Sequence, residues 1–196
     1  MANAWSTYEY QPSFVLGFHG CEKNVAEKIL SGKEPHLLRS EKKHDWLGHG
    51  IYFWEGNPSR ALAWAEQRKA EKKIRTPFVL GAIIDLRHCL DLFDHDGNAQ
   101  VREAHDELVK DFKKSGLAMP ENRGKTPDKA GRMLDSAVLN ALHKYRENLG
   151  ETEFDSVRAP FLEGEPIYPG AGFLSENHIQ LCVRNTACIK GYFRPL

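Results

Sequence analysis

The chain of 196 residues is predicted to fold as one α+β domain, residues 1–196, on three observations. Short β-branched and aromatic runs, bounded by glycine and turn residues, recur along its length. Between them lie segments with apolar residues at helical spacing. No repeat or linker divides the chain, and its length suffices to bury a continuous core without disulfides or metals.

Phe14 to Phe18 is apolar or glycine and ends at His19 and Gly20, the pattern of a buried strand delivering a polar side chain at its edge. Glu22 to Ser31 puts Val25, Ala26, Ile29 and Leu30 on one helical face, with Gly32 as a stop. Trp46 to Trp54 is a second apolar segment, interrupted by Gly48 and Gly50, which suggest close approach of backbone or ligand. Asn57-Pro58 is a helix start, since asparagine caps free N–H groups and proline suits the first helical position. Phe78 to Leu86 reads as a strand and Asp94 to Asn98 as a turn. Ala99 to Lys114 and about Gly131 to Asn148 read as amphipathic helices, with loop composition from Gly116 to Lys129 between them, so 99–150 is a helical insertion. Phe154 to Phe161 is a strand, Leu162 to Asn177 a Gly/Pro loop, and His178 to Arg184 and Cys188 to Phe193 are closing strands.

Lys+Arg and Asp+Glu both number 27, so no global field holds the chain on nucleic acid or an anionic membrane. Four cysteines without a CxxC pair fit a reducing, cytoplasmic setting better than a disulfide framework. The N-terminus, with Trp5, Tyr8 and Tyr10 among polar residues, is not a signal peptide, and no apolar run is long enough to span a bilayer. Asp94 to Asn98 lacks the ligand spacing of a calcium loop, and Gly124-Lys125-Thr126 has Met119 where a phosphate loop needs glycine. The nine histidines form no metal-ligand cluster, so no metal is expected.

Three strand-borne elements remain: Phe18-His19-Gly20; Gly50-Ile51-Tyr52-Phe53 followed by Ser59-Arg60-Ala61-Leu62-Ala63-Trp64; and His178-Ile179-Gln180-Leu181-Cys182-Val183. Singly, each has an ordinary structural reading as core histidine, core aromatic or strand polar residue. In this order they resemble the ADP-ribosyltransferase superfamily, in its diphtheria-toxin-like branch with the poly(ADP-ribose) polymerase catalytic domains. The resemblance covers roughly residues 14 to 193.

It implies a split β-sandwich of two small, mainly antiparallel sheets with flanking helices, and NAD⁺ as a consumed co-substrate. The catalytic set it implies is His19, Tyr52 and Gln180, and the cofactor contacts are His19, Gly20, Tyr52, Trp64 and Ser59. Main-chain groups of Gly20 would pair with the nicotinamide amide, His19 with the adenosine ribose, and Tyr52 and Trp64 would sandwich the cationic ring for about 0.5–2 kcal/mol each. Ala61 stands where the family often has serine, and Gln180 where the polymerases have glutamate. A neutral amide positions a ribose hydroxyl but cannot take a proton, so single transfer rather than polymer growth is expected. Glu163, Glu165 and Glu176 are rival carboxylates in the preceding loop, where Tyr168 and Phe173 would meet a macromolecular acceptor, protein before nucleic acid.

Three alternatives stay open. One is an NAD⁺ glycohydrolase with water as acceptor. Another is a binding module that lost turnover, motivated by Gln180 and Ala61. The third, RNA 2′-phosphotransfer, needs basic residues for which Arg158 and Arg184 are not sufficient. If the chain is a toxin, its expected counterpart is a neutralising partner protein or hydrolase.

Overall fold

In the computed structural model, residues 10–124 and 131–196 are described, with side chains from residue 14 onward. Trp5 and Tyr8 of the N-terminal stretch, and Lys125 and Thr126 of the rejected phosphate loop, lie outside the described residues.

The elements are β1 (Tyr10–Glu22), α1 (Lys23–Leu30), β2 (Ile51–Glu55), α2 (Pro58–Ala70), β3 (Pro77–Asp91), α3 (His95–Ser115), β4 (Asn122–Arg123), β5 (Gly131–Arg132), α4 (Met133–Leu149), β6 (Ser156–Phe161), β7 (His178–Val183) and β8 (Ile189–Phe193). Six strands bond in the order β1-β2-β7-β6-β3-β8, and β1 also pairs with β3, which closes five of them into a ring. Strands β4 and β5 form a separate small pair.

The six-stranded sheet has two antiparallel halves, β8-β3-β1, with β8 on the outer edge of the ring, and β2-β7-β6. They meet at two corners. One is antiparallel, Gly17 with Glu55 and Phe18 with Trp54; the other is parallel, Cys89 to Asp91 along Ser156 to Arg158. The two separate sheets expected from sequence are therefore bonded into one mixed sheet. The fold class, α+β, is as predicted.

Strand alternation sets two cores. Inward residues Phe53, Leu80, Ile84, Leu181 and Val183 pack inside the ring with Ala26 and Ile29 of α1. On the outer face, Val157, Ala159 and Cys182 pack against Ala104 and Leu108 of α3 and Val138, Leu139 and Leu142 of α4. The helices of 99–150 thus share a core with the central strands.

Local signals place most boundaries. Asn57 Oδ1 accepts from Arg60 N–H at 3.0 Å with Pro58 at the first helical position, and Gly32 follows α1 at φ 74°. Two corrections are physical. The first strand does not end at His19-Gly20 but runs to Glu22, because pairing with β3 continues to Pro77. Asp94 to Asn98 is not a free turn: α3 begins at His95, and Gly97 lets its first turn sit on Asp91, where a Cβ would meet the carbonyl oxygen at 2.3 Å.

Candidate functional site

At Phe18 strand β1 is bonded on both edges; beyond it β2 diverges while β3 stays paired. His19 stands at this fork. Its Nδ1 lies 2.7 Å from the Tyr52 carbonyl oxygen. A carbonyl only accepts, so Nδ1 carries the hydrogen and Nε2 presents a lone pair. Burial holds the His19 pKa below the usual imidazole value against the opposing pull of the Tyr52 carbonyl, so the ring is neutral at pH 7.

Gly20 is placed by strand alternation. Lys23 N–H bonds Thr76 on the β3 side, whereas the Leu16 carbonyl accepts from Gly56 on the β2 side. Even-numbered residues therefore turn their main-chain groups toward β2, and those of Gly20 face the fork. A side chain is excluded because α2 lies directly above: a Cβ would be 2.2 Å from Ala61 O and 3.2 Å from Trp64 Cε3. Helix packing alone demands glycine here.

Tyr52 is held by the loop before β2. Its hydroxyl donates to Gly48 O at 2.8 Å and accepts from Leu47 N at 2.9 Å. Asn140 of α4 supports that loop by accepting from His49 N at 3.1 Å. Gly50 allows β2 to pass β7 closely, since a Cβ would meet Cys182 Sγ at 2.5 Å. Burial raises the Tyr52 pKa well above the phenol range, so its hydroxyl stays protonated.

The Tyr52 ring packs with the α3–α4 core, whereas Trp64 clusters with Phe18, Trp54 and Ala61. Trp64 is 6.5 Å from the His19 ring and 5.9 Å from Trp54, and Arg68 lies over it at 5.2 Å. Trp54 is thus the aromatic neighbour of Trp64. Sequence reasoning misses it, although period-two alternation puts Trp54 on the face of Tyr52. Ser59 is exposed and donates to Asn57 Oδ1 at 2.9 Å, serving the start of α2.

Gln180 lies across from Trp54 on β2 and Ala159 on β6. Trp46 Nε1 donates to Gln180 Oε1 at 2.5 Å. Because an indole N–H only donates, this bond fixes the amide: Oε1 is taken and the NH₂ group remains as donor. Trp46 meets Phe161 edge-on at 4.8 Å, and Arg132 lies over both rings at 5.0 and 4.5 Å. His178 stacks on Phe161 at 5.1 Å and reaches Trp54 at 6.2 Å. An aromatic chain thereby links His19 to Gln180 through Trp64, Trp54, His178, Phe161 and Trp46.

Residues 162–177 form a hairpin-like flap. Main-chain bonds join Glu176 to Glu163, Ser175 to Glu165 and Ile167 to Phe173, at 3.0, 2.9 and 3.1 Å. Tyr168 and Phe173 are exposed near its tip with Ile167. At its base Arg60 Nη2 binds Glu163 at 2.6 Å and Glu176 at 3.1 Å, while Glu165 is exposed. Two of the three rival carboxylates therefore share one cation, Arg60 of α2.

Other features are structural or lie apart. Arg158 binds Glu55 bidentately at 2.7 and 3.0 Å and Asp91 at 3.1 Å, tying three strands together. A groove of about 1320 Å³ is lined by residues of α3, α4 and the end of β3, and a cleft of about 760 Å³ by Arg39 and Arg184 among others; neither is lined by His19, Tyr52 or Gln180. Among the described residues no group of three His, Cys, Asp or Glu could hold a metal ion, and no helix is long and apolar enough to cross a membrane.

No family model matches the chain, and no solved structure matches it. It is similar to an uncharacterized protein of Methanocaldococcus jannaschii, 25% identical over 190 residues that span 88% of this chain and 83% of that protein.

Proposed function

We propose that this chain is a mono-ADP-ribosyltransferase with an ADP-ribosyltransferase-like split sandwich, moving one ADP-ribose from NAD⁺ to a macromolecular acceptor and releasing nicotinamide. One observation carries the reading. At the β1–β2 fork, His19 is tied to the Tyr52 carbonyl at 2.7 Å with Nε2 left as acceptor, beside the main-chain groups of Gly20. Nε2 suits a ribose hydroxyl, and an N–H and C=O on one residue suit a carboxamide.

Cleaving the nicotinamide–ribose bond develops positive charge on the ribose, so the site must orient the leaving group and restrict water. Trp64, partly exposed, offers an aromatic face for the cationic ring with Trp54 packed behind it, and Tyr52 holds the loop that carries Trp46. Gln180, with its NH₂ group available, donates to a ribose hydroxyl but adds no charge. That supports single transfer.

The test is incubation with NAD⁺ labelled in its adenosine half, with and without cell lysate. Nicotinamide release and label on macromolecules are measured for wild type, His19→Ala, Tyr52→Ala and Gln180→Ala. Release with transfer, lost in His19→Ala, is expected. Free ADP-ribose without labelled macromolecule would identify a glycohydrolase, and absence of both binding and consumption would sink the NAD⁺ reading.

A further inference from the structure

Arg39 and Arg184 line one cleft of about 760 Å³ at the end of β7. The backbone that carries them is fixed by main-chain bonds. Arg184 N and Asn185 N donate to the Asp155 carbonyl at 2.9 and 3.0 Å, and Ser40 exchanges both main-chain bonds with Gly50 at 2.8 and 3.1 Å.

The two guanidiniums are short of negative charge. The Arg184 side chain has no ion-pair or hydrogen-bond partner among the described residues; its Nε is buried, so the Nη atoms are the donors left to a ligand. Burial first, and then Arg39, hold its pKa below the usual guanidinium value. Arg39 donates through Nη2 to the His49 carbonyl at 3.2 Å and otherwise meets only Glu41, 3.9 Å from Nε and 68% exposed. Arg158, by contrast, has both Glu55 and Asp91. Three carboxylates share the cleft, and two have partners of their own: Glu151 binds Arg146 at 3.0 Å, and Asp155 lies 3.7 Å from Arg87 and accepts from the Asn185 amide at 2.6 Å. Glu153 is exposed, and its attraction for Arg184 is weaker than the repulsion from Arg39.

This arrangement selects a ligand. Two guanidiniums lining one cleft repel each other, and a bound dianion turns that repulsion into attraction. A carboxylate has two oxygens, enough for one guanidinium fork, whereas a phosphate group has oxygens for both. A cation or a neutral molecule would leave the Arg184 charge unmet.

We propose that this cleft binds a phosphate group, as free phosphate or as the phosphate monoester of a small molecule, through the Nη donors of Arg184 and Nη1 of Arg39. The site is independent of the transferase reading. None of His19, Tyr52 and Gln180 lines the cleft, and Arg184 follows the end of β7, four residues and about 13 Å along the chain from Gln180.

The test titrates ¹⁵N-labelled full-length protein at pH 7.5 and constant ionic strength with inorganic phosphate, ribose 5-phosphate and acetate, following the Arg184 Nε–H and the Asn185 and Thr186 amides. Saturable shifts with the phosphates, and binding at least about tenfold weaker for acetate, are expected; the tighter of the two phosphates identifies the source. Arg184→Gln and Arg39→Gln should each weaken phosphate binding at least about tenfold, and Arg184→Lys, which keeps the charge without the fork, should recover only part of the loss. Glu153→Gln should tighten binding. Arg39 is 43% exposed, so its variant tests the site even if Arg184→Gln unfolds. Shifts no larger than chloride produces, equal binding of acetate, or a folded Arg39→Gln that binds phosphate like wild type would each overturn the site.

Discussion

Replacing His143 by leucine removes a buried imidazole of α4, 5% exposed, whose two ring nitrogens have no partner among the described residues. Burial first, then Arg184, Arg146 and Arg39, push its pKa from 6.5 down to about 3. The unfolded chain takes up this proton near pH 6.5 and the folded chain not until about pH 3, so its contribution to stability is intact above 6.5 and lost as pH falls through that window. Each pH unit within it costs about 1.4 kcal/mol, or roughly 2 kcal/mol at pH 5 relative to pH 7.5. His19 and His178 are lowered in the same direction, which steepens the acid loss further. The variant keeps those two and loses one, so the difference between the proteins isolates His143. Urea unfolding of both at pH 7.5 and 5.0 measures it. The leucine variant should match or exceed wild type at pH 7.5 and lose about 2 kcal/mol less on acidification. Equal losses would refute the argument, as would a variant much weaker at pH 7.5.

Gly20→Ala drives a methyl into the Ala61 carbonyl of α2, 2.2 Å away, and should cost on the order of 3 kcal/mol and weaken NAD⁺ binding, read by chemical denaturation and calorimetry. Tyr52→Phe strands Leu47 N–H and leaves Gly48 C=O only the weak Cys182 thiol donor, with an expected loss of about 1–3 kcal/mol in urea unfolding. Arg158→Met leaves Glu55 and Asp91 without their cation; with Arg158 about a fifth exposed, roughly 2–3 kcal/mol should be lost, measured by urea unfolding at pH 7. With Gln180 at the nicotinamide ribose, as proposed, Gln180→Glu would add a negative charge beside the developing cation and should raise nicotinamide release at least about tenfold, measured by chromatography; no increase would argue against that placement.

The α+β class, the start of α2 at Asn57-Pro58, the stop at Gly32 and the strand character of the segments bearing His19, Tyr52 and Gln180 were legible in the chain itself, because each depends on neighbours a few residues away. Alternation could also have put Trp54 beside Tyr52 and His178 beside Gln180. Tertiary structure alone decided the rest. Closure of the ring depends on β1 choosing two partners and on β3 reaching the parallel corner with β6, pairings between residues far apart in sequence. That closure opens the fork where the imidazole of His19 meets a carbonyl 33 residues away. It also brings Trp46 onto Gln180 and Arg60 onto the flap, so that Gln180 presents donors and His178 a lone pair. The direction of a hydrogen bond belongs to the partner that folding supplies.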